Sequence, residues 1–388
     1  MKESKISVLG QGLIWFGAAV SLAEILTGTF IAPLGFKKGL AAILIGHLIG
    51  CILFYFSGFI GAKTRVSAME TVKISFGKKG GLFFSSLNVL QLIGWTAVMI
   101  ISGAVAANSI FNIGGNAIWS IIISIFIILW VLIDIDKLNK LNTLAMMMLF
   151  ALTLILSFTV FKGNNINSFA ESISFGAAIE LSVAMPLSWL PLVSDYIKDA
   201  KKPKKSVAVS TIVYFITSSW MYIIGMGAAI YTGESDIAKI MMTAGLGVVG
   251  LIIIVFSTVT TTFLDVYSAG VSLNSISKTF NEKWTSIVIC IIGMLIAIFT
   301  PIVQYENFLY FIGSVFAPMI AIQIVDNFIL EKSSIDKDFD IINLILWLIG
   351  FIIYRLFMKI DTPIGNTIPV MIITILLTTI VGKVSNKK

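Results

Sequence analysis

The sequence of 388 residues has few of the side chains that build metal centres or disulfide frameworks. It contains two cysteines, Cys51 and Cys290, and a single histidine, His47. Both cysteines fall inside apolar runs and show neither disulfide nor metal-ligand spacing. One histidine cannot supply a multi-histidine metal site, and its apolar surroundings favour a packing role. An enzyme would need a nucleophile and base or a metal cluster, so the composition disfavours one.

Charged residues are also scarce. They make up 12% of the chain, whereas soluble domains contain about 25%. Hydrophobic residues make up 57%, the mean hydropathy is +0.99, and apolar runs of roughly 20 residues recur along the whole chain. Backbone groups in lipid must be satisfied internally, so these runs predict helices, and the period-2 alternation of a membrane barrel is absent. The composition predicts an all-α polytopic membrane protein surrounded by lipid.

The apolar runs predict twelve spans in a single transmembrane domain over residues 1–388. No cleavable signal peptide is evident, because the first run has full span length and no small-residue cleavage site follows it. The loops are too short for a soluble domain. The predicted spans lie near 11–33, 39–62, 82–110, 115–133, 141–161, 176–196, 206–231, 246–270, 284–301, 307–330, 341–358 and 366–382.

The basic residues predict the orientation. With the N-terminus inside, 21 of the 27 Lys and Arg residues lie on the inner side of the twelve spans and 6 on the outer side. The positive-inside rule then places both termini in the cytoplasm. Because the Lys and Arg residues cluster in loops on one membrane face, the net charge of +7 does not indicate binding to nucleic acid.

Two of the predicted spans are interrupted near mid-bilayer. The first contains Gly17 and Glu24 and ends at Pro33, and the sixth contains Pro186 and Pro191. Pro and Gly are common in membrane helices, but an offset of five spans gives these two opposite directions across the membrane. Broken helices in corresponding positions indicate an inverted-repeat transporter. The predicted repeats cover about 11–161 and about 176–330, with extra helices over about 341–382.

Hydroxyl groups and a carboxylate share one face of the eighth span. They occupy positions i, i+3, i+4 and i+8: Ser257, Thr260, Thr261 and Asp265. Back-bonding to the helix explains any one hydroxyl but not three followed by an acid. An acid at that depth usually marks a solute or ion path. The hydroxyls predict a Na⁺ site completed by carbonyls of an unwound helix. Asp265 is part of that site, a proton carrier or a substrate partner.

Other polar and aromatic side chains predict a solute site. Glu24 lies beside the first interruption, where it would accept hydrogen bonds from a solute or pair with a neighbouring helix. Gln91 and Trp95 are four residues apart and share a face of the third span. A mid-span Trp offers a stacking surface for a planar heterocycle, and a Gln amide can contact its donor and acceptor edges. Trp189, beside Pro186, is a second aromatic candidate.

Four segments together resemble the nucleobase:cation symporter-1 family over essentially the whole chain. The closest resemblance is to short bacterial members that are cytosine-like or hydroxymethylpyrimidine (thiamine-precursor) transporters. The segments are GlnLeuIleGlyTrp at 91–95, SerAspTyrIleLys at 194–198, ThrThr followed by AspValTyrSerAlaGly within 260–270, and IleGlySerValPheAlaPro followed by ValAspAsnPhe within 312–328.

The resemblance implies a sodium-symporter-type fold with a five-plus-five inverted repeat and broken helices 1 and 6. It implies a heterocycle stacked on Trp95 and contacted by Gln91, with Met185 or Trp189 on its other side. An Asn is usual near the position of Asp265, so the acid favours a donor-rich substrate such as an aminopyrimidine. The implied sodium ligands are Ser257, Thr260, Thr261 and first-span carbonyls near Val20 and Ala23.

The expected function is secondary active import of a pyrimidine-type heterocycle across a bacterial inner membrane, coupled to Na⁺ or H⁺. An amino-acid:cation symporter of the same fold is the main alternative. A channel would need ligand rings or filter loops, and the interruptions favour alternating access. No Walker motif is present, so ATP-driven transport is disfavoured. No cofactor beyond the coupling ion and no obligatory protein partner are expected.

Overall fold

The computed structural model describes residues 6–133, 135–162, 173–233, 238–239, 242, 247–300 and 305–385, and these are almost entirely helical. A short 3-10 helix, Ala32–Leu34, follows the second helix. The helices in chain order are α1 Val8–Ala19, α2 Leu22–Ile31, α3 Phe36–Thr64, α4 Ala68–Phe76, α5 Lys78–Ile110, α6 Asn116–Leu132, α7 Ile135–Val160, α8 Phe175–Ser188, α9 Val193–Ile197, α10 Pro203–Thr232, α11 Gly247–Ile276, α12 Glu282–Phe299, α13 Tyr305–Phe328, α14 Ile341–Phe357 and α15 Thr367–Ser385.

Each predicted span coincides with a helix or a pair of helices. Among the described residues, seven helices are long and apolar enough to cross a membrane, or eight when the bent pair α1 and α2 counts as one span. Shorter apolar helices such as α6 and α14 have 17 residues each. A helix of that length is about 26 Å long, slightly less than the hydrocarbon core. The all-helical fold is confirmed, and the number of twelve crossings stays a prediction.

The first span is broken at Val20 and Ser21. The axes of the helical segments on its two sides differ by 54°. The Ser21 hydroxyl caps α2 by accepting a hydrogen bond from the Glu24 backbone N–H at 3.2 Å. A serine cap stabilises a new helix start, and the last carbonyls of the preceding helix lose their helical donors. The predicted interruption therefore lies one turn before Glu24.

The sixth span is broken over residues 189–192, between α8 and α9. Pro191 lies in this break, where its ring and missing N–H prevent an uninterrupted helix. Neighbouring helices satisfy the exposed carbonyls: Ser57 of α3 donates to Leu190 at 2.8 Å, and Asn88 of α5 donates to Pro191 at 3.1 Å. Buried irregular backbone needs such partners inside a membrane.

Ten of these helices form two groups with a cavity between them. One group, called the bundle below, contains α1, α2, α3, α8, α9 and α10, which pack on one another. The other, called the scaffold, contains α5, α6, α11 and α12. The two broken spans belong to the bundle, and the hydroxyl-bearing helix α11 belongs to the scaffold. The groups meet at the two breaks.

Glycines bring α2 and α10 into close contact. A Cβ on Gly28 would fall on the backbone carbonyl of Tyr222, and a Cβ on Gly225 would fall on that of Ile25. Small residues at such a crossing let two backbones approach, which favours helix association in lipid. This contact fixes the register of α2 against α10, and with it the neighbours of Glu24.

Candidate functional site

A small cavity lies where the bundle meets the scaffold. Its volume is about 10 Å³, which is room for about one water molecule. The structure is therefore closed around the site. The lining combines small, aromatic, sulfur and acidic side chains from both broken spans and from α5 and α11: Ala18, Ser21, Ala23, Glu24, Trp95, Met99, Met185, Ser188, Trp189, Thr261 and Asp265.

Two tryptophans and a methionine give the cavity its apolar surfaces. Trp95 comes from α5, and Met185 and Trp189 come from α8 and the break that follows it. Phe308 of α13 packs edge-on against Trp95, with ring centroids 5.5 Å apart. Trp189 packs edge-on against the fully buried Trp15, at 5.4 Å. These contacts hold both indoles in place, so the cavity can offer aromatic surfaces to a flat solute.

Asp265 is the least satisfied acid in the cavity lining. It is only 4% exposed, and within the described residues it makes no hydrogen bond. Glu24 differs, because its carboxyl group has hydrogen-bond partners in Tyr214 at 2.8 Å and Ser218 at 2.7 Å. A buried carboxylate without a donor is costly unless a bound partner supplies one. Asp265 is thus available to a solute with N–H groups.

Gln91 lies outside this cavity, contrary to the expectation of a direct solute contact. Its amide nitrogen donates to Asn88 of the same helix at 2.7 Å and lies 3.5 Å from the Ser188 carbonyl. Asn88 in turn donates to the break in the sixth span and to Ser272. Gln91 and Trp95 share a helix face but are one turn apart, and only Trp95 reaches the cavity. The structure gives Gln91 a place in the polar contacts that hold the break.

The hydroxyls of α11 meet the carbonyls at the end of α1. Ser257 donates to the Val20 carbonyl at 2.6 Å, and Thr261 lies 3.3 Å from the Gly17 carbonyl. The Thr260 hydroxyl stays within α11, where it donates to the Phe256 carbonyl at 2.9 Å and lies 3.1 Å from the Ser257 carbonyl. Oxygens of α11 and α1 therefore meet at Ser257 and Thr261, and a hard cation can bind between helices at such a junction.

Ala23 does not contribute to this group of oxygens. It lies inside α2, and its carbonyl accepts a hydrogen bond from the Thr27 hydroxyl of the same helix at 2.7 Å. The helix restarts at Leu22, so carbonyls after the break return to helical partners, whereas Gly17 and Val20 precede the restart. These contacts favour Gly17 over Ala23 as the candidate, and the set of ion ligands stays a prediction.

A larger vestibule of about 1050 Å³ adjoins the site on the side of the N-terminus. Gly17 and Thr260 line it, together with Asp195 and Tyr196 of α9. Tyr196 donates to the Leu264 carbonyl at 2.7 Å and so links the bundle to the scaffold beside the cavity. The converging oxygens lie between the closed cavity and this vestibule. Gly17 and Thr260 are therefore accessible from this vestibule.

Sequence reasoning missed several residues of the site. Ser21, Met99 and Ser188 line the cavity, and Gly17 supplies a carbonyl. One signal was available: Ser21 followed by Glu24 has the spacing of a capping box, which marks a helix start. That spacing would have placed the break at Val20 and made Gly17 the better candidate. Met99 lies one helical turn after Trp95, but nothing in the pattern distinguishes it from packing.

Comparison with known proteins identifies related transporters. A family model described as permease for cytosine/purines, uracil, thiamine, allantoin matches residues 7–343. The cytosine permease of Escherichia coli K12 is 24% identical over 338 residues, which cover 84% of this chain and 78% of that protein. A putative purine-cytosine permease of Bacillus subtilis is 24% identical over 358 residues, with the same coverage.

Solved structures show the same fold. Mhp1, a nucleobase-cation-symport-1 family transporter in a closed conformation with bromovinylhydantoin bound, has a TM-score of 0.84 at 18% identity. The match covers 99% of this chain and 94% of that one. A Na⁺-coupled sialic acid symporter in a substrate-bound outward-open state has a TM-score of 0.72 at 16% identity, covering 97% and 88%. The expected sodium-symporter-type fold with broken helices is confirmed.

Proposed function

We propose that the solute of this protein is a donor-rich pyrimidine. The chain belongs to the nucleobase:cation symporter-1 family, whose members are permeases for cytosine, purines, uracil, thiamine and allantoin. The family consists of transporters rather than enzymes. The chain is accordingly a multi-pass membrane protein and a cation-coupled carrier of nucleobase-type compounds that works by alternating access. Import across a bacterial inner membrane, with cytoplasmic termini, is part of the proposal.

The unsatisfied Asp265 is the single observation that carries the choice of solute. This acid faces a cavity that also contains Glu24 and the indoles of Trp95 and Trp189. The lining contains no Lys or Arg. An ionised carboxylate only accepts hydrogen bonds, so it favours a solute that donates them. A flat ring with an amino group, such as cytosine or hydroxymethylpyrimidine, would stack on the indoles and donate to Asp265.

The coupling ion in this proposal binds where α1 meets α11. Its ligands would be the Gly17 and Val20 carbonyls and the oxygens of a hydroxyl set: Ser257, Thr260 and Thr261. Ser257 and Thr261 already contact the Val20 and Gly17 carbonyls directly, which supports a site between the two helices. A Na⁺-coupled symporter among the structural neighbours supports Na⁺ as the ion for such a site. An ion there would hold the broken first span against the scaffold.

Thermal unfolding of the purified protein with candidate solutes tests the proposal. A ligand at a hundred times its Kd stabilises the folded state by about 2.7 kcal/mol, which raises the melting temperature measurably. We expect cytosine and hydroxymethylpyrimidine to raise the melting temperature, with a larger effect in Na⁺ than in choline. Uracil, which lacks the exocyclic amine, should raise it less.

The same thermal-unfolding screen with amino acids tests the alternative function. The alternative function is amino-acid:cation symport on the same fold, and a site for amino acids needs a partner for the solute carboxylate. Asp265 would repel that group, and the cavity lining contains no Lys or Arg to bind it. If leucine or another amino acid stabilises the protein and no pyrimidine does, the proposed solute class is wrong.

A further inference from the structure

A row of hydrogen-bonded polar side chains leads away from the cavity into the bundle. Glu24 of α2, Ser218 of α10 and His47 of α3 lie in a row, and all three are at most 1% exposed. The Ser218 hydroxyl oxygen is 2.7 Å from Glu24 Oε2 and 2.7 Å from His47 Nε2. His47 Nδ1 is 2.9 Å from the Ile43 carbonyl oxygen. Three short links therefore connect four groups in series.

The number of hydrogens available for these three contacts determines the charge of the row. A carbonyl only accepts, so Nδ1 of His47 must donate to Ile43, and the tautomer follows from that contact. A neutral imidazole then has a lone pair on Nε2. The Ser218 hydroxyl has one hydrogen and can satisfy Nε2 or Glu24 Oε2, but not both. When Glu24 is ionised and His47 is neutral, either the Glu24–Ser218 contact or the Ser218–His47 contact therefore has no hydrogen. One added proton provides a hydrogen for every contact in the row.

The geometry also indicates where the added proton lies. Tyr214 donates to Glu24 Oε1 at 2.8 Å, so the acid proton belongs on Oε2, which faces Ser218. Oε2–H then donates to Ser218, and Ser218 donates to His47 Nε2. The alternative, an imidazolium beside a carboxylate, places two charges in a fully buried region at a large desolvation cost. The neutral form avoids that cost.

The neighbours of the row do not supply another charge to balance Glu24. The titratable groups that face it are Tyr214 and Tyr222 of α10, Cys51 of α3 and Asp265 across the cavity. The Tyr222 ring packs edge-on against His47 at 4.6 Å. The phenols and the thiol are neutral at physiological pH, and Asp265 is itself an acid. Within the described residues, no Lys or Arg forms an ion pair with Glu24.

We propose that Glu24, Ser218 and His47 form a proton-binding site whose occupancy is coupled to solute transport. The proton adds to Glu24 Oε2 and leaves from the same atom, and no other bond forms or breaks. Glu24 also lines the cavity, so loss of the proton places a negative charge beside the solute. The coupling rests on the proposed function, whereas proton binding itself does not.

Infrared spectra of the purified protein without solute test proton binding directly. The difference spectrum between wild type and Glu24→Gln at neutral pH contains a protonated carboxyl C=O band if Glu24 carries a proton. We expect that band. We also expect Ser218→Ala to shift it, because the acid loses its acceptor. Ser219→Ala is the matched control, since Ser219 is also buried in α10 but its hydroxyl has no hydrogen-bond partner among the described residues.

A carboxylate band in the same difference spectrum overturns the proposal. So does an unchanged carboxyl band in Ser218→Ala, because the row would then not be connected. Should Glu24→Gln fail to fold, the comparison of Ser218→Ala with Ser219→Ala gives the answer alone. None of these results depends on the identity of the solute.

Transport of labelled cytosine into proteoliposomes tests the coupling. One proton per solute gives up to about tenfold accumulation for an inside-alkaline gradient of one pH unit. We expect wild type and Ser219→Ala to respond to the gradient. Ser218 does not line the cavity, so Ser218→Ala should keep cytosine counterflow but lose much of the gradient-driven accumulation, because Glu24 loses its partner in the row. Glu24→Gln should lose the response to the gradient completely, because a Gln amide cannot gain or lose the proton. A Glu24→Gln variant that still responds to the pH gradient overturns the coupling. Absence of counterflow in wild type contradicts the proposed solute instead.

Discussion

Among the side chains that line the proposed solute site, Trp95 is the one whose role can be measured most directly. Its indole lines the cavity and is held by Phe308. Stacking of a base on an aromatic ring contributes about 1–3 kcal/mol. Trp95→Ala should therefore weaken cytosine binding about tenfold to hundredfold, while Trp95→Phe retains much of the affinity. Isothermal titration of the purified variants measures this.

Trp119 provides the control for Trp95. It is similarly buried, but its indole N–H donates to the Phe111 carbonyl near the end of α5, away from the cavity. Trp119→Ala should alter stability and leave cytosine affinity unchanged. Equal affinity in folded Trp95→Ala and wild type would remove Trp95 from the solute site.

Asp265 should decide which pyrimidines are preferred. Asp265→Asn keeps the shape of the side chain but replaces an acceptor-only group with one that also donates. We expect the preference to move from aminopyrimidines such as cytosine towards oxo-pyrimidines such as uracil, without loss of transport. Competition against labelled cytosine measures the rank order. Asp326→Asn is the control, because Asp326 is buried against Asn343 and does not line the cavity.

An unaltered rank order in Asp265→Asn would show that the acid has a structural role only. Sequence alone identified Asp265 and Trp95 as candidates, because a mid-span acid and a mid-span indole are rare in lipid. It could not place Gln91 correctly, because a shared helix face does not specify which turn reaches a cavity. It also gave no reason to connect Glu24 with His47, since their link through Ser218 depends on how three helices pack.

At the level of helices, the junction of α1 and α11 should control the response to sodium. Thr261 faces the Gly17 carbonyl across this junction, whereas Thr262, its neighbour, donates to the Thr258 carbonyl of its own helix at 2.6 Å. Thr261→Val removes one candidate ligand at nearly constant volume. We expect the Na⁺-dependent rise in melting temperature to be lost in Thr261→Val and kept in Thr262→Val.

The opposite pattern, or loss in both variants, would contradict the assignment of this face. If wild-type stability ignores Na⁺ and follows pH alone, the sodium site itself is wrong and the proton site remains the only coupling candidate. Helical periodicity of the hydroxyls placed Ser257 and Thr261 on the face of α11 that meets α1, and their role as ion ligands stays a prediction. The matching carbonyls were harder to predict, because they depend on the residue at which α2 restarts.

Another helix contact shows what sequence reasoning cannot specify. Glu180 of α8 accepts hydrogen bonds from the backbone N–H groups of Asn366 and Thr367, and from the Thr367 and Tyr354 hydroxyls. These donors lie at the start of α15 and on α14, so one carboxylate anchors the sixth span to both extra helices. An acid at a helix N-terminus is favourable. Nothing within the sixth span indicates a partner 186 residues away in the chain.

For the whole molecule, composition and the two interruptions were sufficient to predict the fold. Apolar run length gave the helices, and the matched breaks indicated the inverted-repeat architecture. The division into bundle and scaffold could not be predicted, because it depends on close contacts such as Gly28 with Tyr222. Transport by alternating access requires those two groups to move relative to each other, with the cavity and the proposed cation site between them.

The orientation of the molecule in the membrane follows from its charge distribution and can be tested by labelling. With 21 of 27 basic residues on one side, that side should face the cytoplasm. In a background without Cys51 and Cys290, a membrane-impermeant maleimide applied to intact bacterial cells should label Asn112→Cys, in the exposed loop after α5. It should label Ser385→Cys, near the exposed end of α15, only after the cells are permeabilised. The reverse pattern would invert the topology and turn the vestibule beside Gly17 towards the outside, so that ion release through it would no longer support import.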